Sequence, residues 1–285
     1  MNFLEIIKEN QSKLTNSQKK ALEYILDHYD EVPFLSASRL ARKIGVSEAT
    51  IIRLSQAMGF DGFPEFKKRL QELFKERIST VSRLEHTVDQ IKSEEDVLIK
   101  VFQEDMENLS QTLHDVSIET FKQVIKEIKK AKHIFIIGLR SAYALSIFLG
   151  TTLRYIKKDV RVLKPDHGEF WDLVTEWKKN DLVIGISFPR YTKITVEALK
   201  YAKEKGIKTI GITDHHLSPL AQYCDYVLTA KCNIDSYIES FSAALSLINA
   251  IVTAVSIQNT DNTLKSLKRF ESIWNEKDVY IKPKR

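Results

Sequence analysis

The C-terminal half of the chain repeats one pattern five times: a short apolar run followed by a segment with helical spacing. The runs come after Ile118 and are HIFIIG, VRVLKP, DLVIGIS, IKTIGIT and DYVLTA. Uninterrupted apolar strands are typical of sheets buried on both faces, and strands that alternate with helices pair in parallel. The pattern therefore predicts a doubly wound α/β domain, with helices on both sides of a parallel sheet.

Ligands of such sheets bind at the carboxyl ends of the strands, so the turns after the strands form the candidate site. In the first turn, GLRSAYA, Gly138 permits a sharp bend, and Ser141 lies where a helix N-terminus can hold an anion. A plain N-cap explains Ser141 equally well. The second and third glycines of a dinucleotide-binding fingerprint are missing, and no cofactor is expected.

The second and fourth turns carry titratable side chains. In KPDHGEFWD, Asp166 and Glu169 have the spacing of a capping box, which favours a structural role, while His167 is a candidate for the wall of the site. In the fourth turn, His215 and His216 are adjacent in sequence. Because adjacent side chains project in different directions, no shared metal ion is expected there.

The third turn, GISFPRYTKI, departs from the usual pattern of a phosphate-binding turn. Such a turn uses glycine and free backbone N–H groups, whereas this one contains Pro189, which has no N–H, and Arg190. The guanidinium of Arg190 can pair with two oxygens of a phosphate or carboxylate and thus replace backbone donors by a side-chain charge. The alternative is that Arg190 is an ordinary surface residue.

The N-terminal part has a different organisation. From Thr15 to Tyr29 the apolar residues fall at helical spacing, and SASRLARKIGVSEATIIRLSQAMGF then predicts two short helices joined by a turn. Two helices that cross steeply need a small residue at their contact and a glycine in the turn. Ala41 and Gly45 meet these needs, and Ser47 caps the second helix.

With its apolar residues turned inward, this second helix presents a face that fits a DNA major groove. Residues 37–69 contain seven Lys and Arg against three Asp and Glu, which suits contact with phosphates. The alternative is a small helical bundle whose turn contains glycine. The residues predicted to contact DNA are Ser47, Glu48, Ala49, Thr50, Arg53, Gln56, Lys67 and Lys68.

The segment VPFLSASRLARKIGVSEATIIRLSQAMGFDGFPEFKKRL resembles the N-terminal domain of RpiR-type (MurR/RpiR) bacterial transcriptional regulators. The resemblance covers about residues 14–77 and includes the run GF-x-GF-x-EFK from Gly59 to Lys67. It implies a winged or extended helix-turn-helix in which the helix from Ser47 is the recognition helix.

The segments GLRSAYALSIFLG, DLVIGISFPRYTKITVEALKYAKEKGIKTIGITD and SPLAQYCDYVL resemble a sugar isomerase (SIS) domain, a flavodoxin-like fold that binds phosphorylated sugars. The resemblance covers about residues 120–258. Position by position it implies a phosphate site of Ser141, Ser187 and Thr192, with Arg190 at a position where SIS domains commonly have glycine. The predicted effector-binding residues are Ser141, His167, Ser187, Arg190, Thr192 and Glu239.

The two resemblances together imply a two-domain, ligand-responsive transcription factor. An all-α helix-turn-helix domain (residues 1–78) and a SIS domain (residues 111–285) are joined by a helical linker (residues 79–110). The expected partners are a double-stranded DNA operator, a small anionic effector such as a sugar phosphate or carboxylate, and further copies of the chain in a homodimer or homotetramer. The alternative is a SIS-fold sugar-phosphate isomerase, for which the candidate bases are Glu239, His167, His215 and His216.

No acid and base lie at a recognisable catalytic spacing near these candidates, and no catalytic residue is predicted.

Cysteine occurs only at Cys224 and Cys232, which is typical of a reducing compartment. The N-terminal MNFLEIIKEN lacks the apolar core of a signal peptide, and no stretch is long enough to suggest a membrane span. A cytoplasmic protein without a membrane partner is expected.

Overall fold

The computed structural model describes residues 10, 14–27, 32, 35–78, 80–90, 93–164, 170–216, 218–234 and 236–281. The chain forms two compact units: Met1–Asp96 with Asp235–Ile238, and Val97–Ile234 with Glu239–Arg285. The described part of the first unit is mainly helical, and the second unit contains the five-stranded sheet.

The helices of the first unit are α1 (Asn16–Asp27), α2 (Ala37–Ile44), α3 (Glu48–Ala57), α4 (Phe63–Ile78) and α5 (Thr80–Gln90). No strand occurs among the described residues of this unit, so there the helix-turn-helix is extended by a helix and not by a β-wing. Its buried core includes Leu22, Leu40, Ile51, Leu54 and Phe66.

The second unit is an α/β domain built on a parallel sheet. Its strands are β1 (Ile134–Ile137), β2 (Val160–Val162), β3 (Leu182–Ile186), β4 (Lys208–Thr213) and β5 (Tyr226–Thr229), and they lie in the order β2-β1-β3-β4-β5. Ile134 is opposite Val160 on one side and Leu182 on the other, and all pairs are parallel. Each of the five apolar runs contains one of these strands, which confirms the predicted doubly wound sheet.

Helices cover both faces of this sheet. The helices from Glu94 onward are α6 (Glu94–Asp115), α7 (Ile118–Lys130), α8 (Tyr143–Arg154), α9 (Phe170–Thr175), α10 (Lys193–Glu204), α11 (Ser242–Ile257) and α12 (Thr260–Glu276), of which α7 to α11 pack on the sheet. Alternate residues of β1 point to opposite faces: Ile134 and Ile136 pack in a core with α7, α8 and α11, whereas Phe135 and Ile137 pack in a core with α9 and α10. This burial on both sides explains why the strands are apolar without alternation.

The strand order creates a switch point between β1 and β3. The chain leaves β1 for β2 on one side of the sheet, and it leaves β3 for β4 on the other side. The helices that follow these two neighbouring strands, α8 and α10, consequently lie on opposite faces. A crevice opens at such a point beyond the carboxyl ends of the strands, and it is the usual ligand site of this fold class.

None of the described helices is by itself long and apolar enough to cross a membrane. Helices α11 and α12 meet that criterion only when they are taken together, and they are bent by 105° at the break between them.

Candidate functional site

A glycine and a serine cap build the turn between α2 and α3. The Ser36 hydroxyl accepts a hydrogen bond from the backbone N–H of Arg39 at 3.3 Å and starts α2. Gly45 ends that helix with a φ of 75°, and its N–H donates to the carbonyl of Ala41 at 3.0 Å. Glycine adopts this left-handed conformation without a steric penalty, so the chain can reverse and begin α3 within three residues.

Helix α3 is anchored along one face. The Ser47 hydroxyl accepts a hydrogen bond from the N–H of Thr50 at 3.2 Å, and Glu48 in the first turn complements the positive end of the helix dipole. Ile51 and Leu54 are completely buried, and the hydroxyl of the buried Ser55 donates to the carbonyl of Ile51 at 3.0 Å. These contacts fix which face of α3 points outward.

The opposite face of α3 contains the residues predicted to contact DNA. The exposed ones are Ser47, Glu48, Ala49, Arg53 and Gln56, and Thr50 is half-buried. The hydroxyls of Ser47 and Thr50 lie 2.9 Å apart and complete the helix cap. Both therefore have a structural role of their own, whereas Arg53 and Gln56 project from the surface of the helix. That any of them contacts DNA stays a prediction.

The aromatic residues of the run GF-x-GF-x-EFK position α4. Phe66 is fully buried, and its ring centre lies 5.4 Å from that of Phe60 and 6.4 Å from that of Phe63. Lys67 and Lys68 follow directly, the first half-buried and the second exposed. The buried phenylalanine anchors the first turns of α4, and the two lysines that follow it lie next to this anchor.

In the second unit, the turn after β1 passes very close to β3. A Cβ atom at Gly138 would lie 2.4 Å from the Ser146 hydroxyl oxygen and 3.0 Å from the carbonyl oxygen of Ile186, so only glycine fits. Ser141 is exposed within a short 3₁₀ turn, Arg140–Ala142. The cap positions of this turn and of α8 are occupied by Leu139 and Ala142, so the plain N-cap explanation for Ser141 does not apply.

Two arginines in these turns have left-handed backbone. Arg140 follows β1 with a φ of 55°, and Arg190 follows β3 with a φ of 66°. Residues other than glycine adopt this conformation at a cost of about 1–3 kcal/mol, and such residues concentrate at functional sites. The turn after β3 thus keeps the backbone that glycine would give and adds a guanidinium. Among the described residues, no carboxylate pairs with either arginine.

A cleft of about 660 Å³ opens at the switch point. Its lining residues are Leu139, Arg140, Tyr143, Lys164, Thr192, Lys193 and Ile194. In the part of the chain that the structure describes, three of the lining side chains are cationic and none is anionic, and this charge favours anions. The ammonium of Lys164 lies 5.6 Å from the centre of the Tyr143 ring, which holds one cation at the wall through a cation–π contact.

Tyr143 also presents a polar group that the described residues do not satisfy. Its hydroxyl is buried and has no hydrogen-bond partner among them. Leaving such a group unpaired costs about 1–3 kcal/mol. Since Tyr143 lines the cleft, a ligand hydroxyl or phosphate oxygen is a suitable partner for it.

The predicted phosphate residues lie around this cleft to different extents. Thr192 lines it, and its hydroxyl oxygen is 2.9 Å from that of Thr195 on α10. Ser187 is at the end of β3, only 2% exposed, and its N–H donates to the carbonyl of Ile212 at 3.1 Å. Ser141 and Arg190 are exposed in the two turns that border the cleft. Whether they bind a ligand stays a prediction.

Of the two remaining predicted residues, the structure describes only Glu239. His167 lies outside the described residues, as do Asp166 and Glu169 of the proposed capping box. Glu239 is half-buried in the segment that precedes α11 and does not line the cleft.

That segment is held by helix α6 through polar contacts along one helical face. Asp105 accepts hydrogen bonds from the hydroxyls of Ser240 and Ser242, the latter at 2.6 Å. The amide of Asn108 donates to the carbonyl of Asn233 at 2.6 Å and accepts from its N–H at 3.1 Å. These contacts attach the chain between β5 and α11 to the helix that leads back towards the first unit.

A buried group of titratable residues lies beside the cleft, at the ends of β3 and β4. The hydroxyl of Tyr191 is 2.8 and 2.7 Å from the two carboxylate oxygens of Asp214. Thr213 donates to the same carboxylate at 2.9 Å, and the Nε2 atom of His215 lies 3.4 Å from it. Burial raises the pKa of Asp214, while the charge of His215 and the hydrogen bonds lower it in part.

Four residues with polar side chains line the cleft but do not follow from the sequence patterns: Arg140, Tyr143, Lys164 and Lys193. Their positions depend on how the turns after β1, β2 and β3 meet in space, and this cannot be derived from local spacing. A partial signal was available, because an arginine occurs within four residues after both β1 and β3.

Comparisons with known proteins match the N-terminal and C-terminal parts of the chain to different domain families. A model of the SIS domain matches residues 127–254, and a model described as a helix-turn-helix domain of the rpiR family matches residues 1–77. An uncharacterised HTH-type transcriptional regulator of Haemophilus influenzae is 31% identical over 232 residues, which cover 80% of this chain and 79% of that protein. The HTH-type transcriptional regulator HexR of Escherichia coli is 26% identical, with 97% of this chain and 95% of HexR covered.

Solved structures have the same fold. The sugar isomerase domain of an RpiR transcription factor from Sphaerobacter thermophilus has a TM-score of 0.60 and 28% identity, and the match covers 62% of this chain and 99% of that domain. The Vibrio vulnificus NanR protein, solved in complex with ManNAc-6P, has a TM-score of 0.63 and 19% identity, and the match covers 96% of this chain and 98% of NanR.

Proposed function

Because this chain belongs to the RpiR family of helix-turn-helix transcriptional regulators and carries a SIS domain, we propose that a phosphorylated sugar in the cleft between β1 and β3 controls its binding to operator DNA. The observation that carries the proposal is the charge of the cleft, where Arg140, Lys164 and Lys193 line a volume of about 660 Å³ and no acid lines it among the described residues. The complex of NanR with ManNAc-6P supports a phosphorylated sugar as the ligand class.

The anion is held by side chains more than by backbone. Pro189 has no N–H to donate, and Arg190 stands where a glycine would let the backbone approach a phosphate. A guanidinium offers two parallel donors to a phosphate or carboxylate, which compensates for the lost backbone donors. The hydroxyls of Ser141, Ser187 and Thr192 complete the donor set, together with the Tyr143 hydroxyl that has no partner among the described residues.

Operator DNA is bound by α3 in the major groove. Arg53 and Gln56 are exposed on the face opposite the buried Ile51 and Leu54. A guanidinium suits the two acceptors of a guanine edge, and an amide suits adenine. Lys67 and Lys68 on α4 contact phosphates, which contribute affinity without sequence preference.

Two copies of the chain bind together. A recognition helix reads one half-site, and operators pair two half-sites about one helical turn apart. Helix α6 supports this proposal with a stripe of exposed apolar side chains, formed by Leu98, Phe102, Met106, Leu109 and Leu113. Their exposed fractions range from 38% to 80%. A row of exposed large apolar side chains on one helix is typical of a surface that another protein chain covers.

The SIS domain binds its ligand without converting it. The relatives carry the names of transcriptional regulators, and the candidate base Glu239 does not line the cleft. An isomerase exchanges a proton at the carbon beside the sugar carbonyl with solvent, and NMR in deuterated water detects that exchange. Exchange catalysed by the purified protein would overturn this part of the proposal.

The proposed function is tested with DNA from the region upstream of the gene that encodes this chain. Fluorescence anisotropy measures binding of labelled fragments with and without each member of a panel of phosphorylated sugars. We expect one fragment to bind specifically and at least one sugar phosphate to change its affinity by about 5–150-fold. A protein that binds no fragment, or that binds one with the same affinity whatever sugar phosphate is added, contradicts the proposal.

A further inference from the structure

One buried contact ties the turn that carries Arg190 to the neighbouring strand. Tyr191 and Asp214 follow the adjacent strands β3 and β4, and the tyrosine hydroxyl donates a hydrogen bond shared by both carboxylate oxygens at 2.8 and 2.7 Å. We propose that Asp214 and Tyr191 are positioning residues of the anion site, which hold Arg190 in its left-handed conformation. This inference rests on the proposed effector site.

A left-handed arginine persists only where the chain on both sides is constrained. On the N-terminal side, the N–H of Ser187 is bonded to the carbonyl of Ile212, and the ring of Pro189 restricts the backbone. On the C-terminal side, Thr192 is the N-cap residue of α10 but its side chain makes no capping hydrogen bond. The constraint nearest to Arg190 on that side is therefore the side chain of Tyr191.

The surroundings of Asp214 fit a positioning role better than a stabilising one. The carboxylate is 8% exposed, and it also accepts a hydrogen bond from Thr213 and faces His215. A buried charge is costly to desolvate, and an apolar pair of the same volume often stabilises a fold as well or better. What the polar contact adds is a fixed direction, because both carboxylate oxygens of Asp214 lie nearer to the tyrosine hydroxyl than the Nε2 atom of His215 does, at 3.3 Å.

The contact between Tyr191 and Asp214 connects the turn after β3 to the turn after β4, beyond the backbone hydrogen bonds of the sheet. Ser187 and Ile212 already connect the ends of β3 and β4 through their backbone. The side-chain contact extends this connection past the end of the sheet, to the residue directly before the cleft-lining Thr192. Loss of the contact should loosen the turn while the sheet remains intact.

The test uses Tyr191→Phe in the full-length protein, because this variant loses only the hydroxyl. Inorganic phosphate is the probe, and the concentration that gives half of the maximal rise in Tm is compared with the wild-type value. We expect roughly a threefold to tenfold higher concentration for the variant, as for the loss of one hydrogen bond. Limited digestion with trypsin should also cleave faster after Arg190, which reports the turn without any ligand.

Tyr201→Phe is the matched control, since it removes the same atom from a tyrosine on α10 whose ring packs against Trp177. We expect this control to behave like the wild-type protein in both measurements. Asp214→Asn keeps an acceptor for Tyr191 and should retain more phosphate affinity than Asp214→Ala. A purely structural role would lower the Tm of Tyr191→Phe without changing its phosphate affinity or its cleavage after Arg190.

The outcomes separate the two proposals. If phosphate does not raise the Tm of the wild-type protein, the proposed anion site and this inference are both overturned. If phosphate raises the Tm of the wild-type protein and Tyr191→Phe matches it in affinity and in trypsin cleavage, only the positioning role is overturned. Should the Asp214 variants fail to fold, Tyr191→Phe alone decides the question.

Discussion

Arg140 and Arg190 hold a backbone conformation that glycine adopts freely and other residues adopt at a cost. Both follow strands that are neighbours in the sheet; Arg140 lines the cationic cleft, and Arg190 lies two residues before Thr192, which also lines it. Backbone strain kept in the turns after two neighbouring strands indicates that the side chains serve a purpose that glycine cannot serve. The purpose that we propose is to hold an anion.

Two substitutions at Arg190 separate strain from charge. Arg190→Gly and Arg190→Ala both remove the guanidinium, so both should abolish most of the rise in Tm caused by a phosphorylated sugar. Only the glycine variant relieves the left-handed strain, and its free energy of unfolding without ligand should exceed that of the alanine variant by about 1 kcal/mol. Urea unfolding measures this difference, and thermal shift measures the response to ligand.

If the alanine variant keeps the full response to ligand, Arg190 is a surface residue. Equal stability of the two variants would show instead that the turn changes its conformation once the arginine is gone.

In the helix-turn-helix domain, we expect alanine substitutions of Arg53 and Lys68 to weaken DNA binding in different ways. Arg53→Ala should weaken binding to the preferred DNA fragment by about 1–3 kcal/mol and reduce the preference over unrelated DNA. Lys68→Ala should weaken binding to both DNAs alike and reduce the dependence of affinity on salt, because it removes a phosphate contact. Fluorescence anisotropy at several salt concentrations distinguishes the two. Unchanged affinity in Arg53→Ala would remove this residue from the reading face.

At the scale of the elements, α6 is bound to the segment before α11 through Asp105 and Asn108. This segment follows β5 and so lies at the carboxyl edge of the sheet, the same edge as the cleft. Helix α6 is also the element in which the first unit gives way to the second, at Asp96. Under the proposed function, a change in the SIS domain reaches the helix-turn-helix domain along the chain through α6.

Asn108→Ala tests this role of α6. Asn108 is 2% exposed, and the variant leaves the backbone N–H and carbonyl of Asn233 without their partners, which should cost about 1–3 kcal/mol of unfolding free energy. We further expect a smaller change in DNA affinity when sugar phosphate is added, with little change in sugar phosphate affinity. Anisotropy and thermal shift give the two quantities.

Gln111→Ala is the control for that experiment, since the side chain of Gln111 bonds to Glu107 of the same helix. A control that lost the DNA response to the same degree would show that the effect is not specific to the contact with Asn233.

The elements were more predictable than the site. The five strands are predictable because strands buried on both faces consist of uninterrupted apolar residues. Helix α3 is predictable from Gly45 and Ser47 before it and from the inward-facing Ile51 and Leu54 within it. The contact of Tyr191 with Asp214 joins residues 23 positions apart, and the approach of Lys164 to Tyr143 depends on the strand order. Such contacts arise from tertiary packing and leave no local pattern in a single sequence.

For the whole molecule, pH acts on stability through buried and hydrogen-bonded carboxylates. Burial raises the pKa of Asp225, but hydrogen bonds from Lys203 and from Thr209 outweigh burial and leave the pKa below its usual value. A lowered pKa means that the folded state binds the proton less tightly than the unfolded state. The carboxylate therefore stabilises the protein above the unfolded-state pKa, and this contribution is lost as the pH falls through the folded-state pKa.

Asp225→Asn should accordingly be less stable than the wild-type protein near neutral pH, and the difference should shrink as the solution is acidified. Urea unfolding of both proteins across that pH range measures it. A difference that stayed constant with pH would show that the hydrogen bonds, and not the charge, are what the variant loses.

Every arginine codon becomes a glycine codon by a change of its first base. The more relaxed version of the turn after β3 is therefore always one mutation away from this gene. We expect the Arg190→Gly mutation to give a regulator that is more stable and no longer responds to its ligand. Selection for stability alone and selection for the response to ligand therefore favour different bases at this codon.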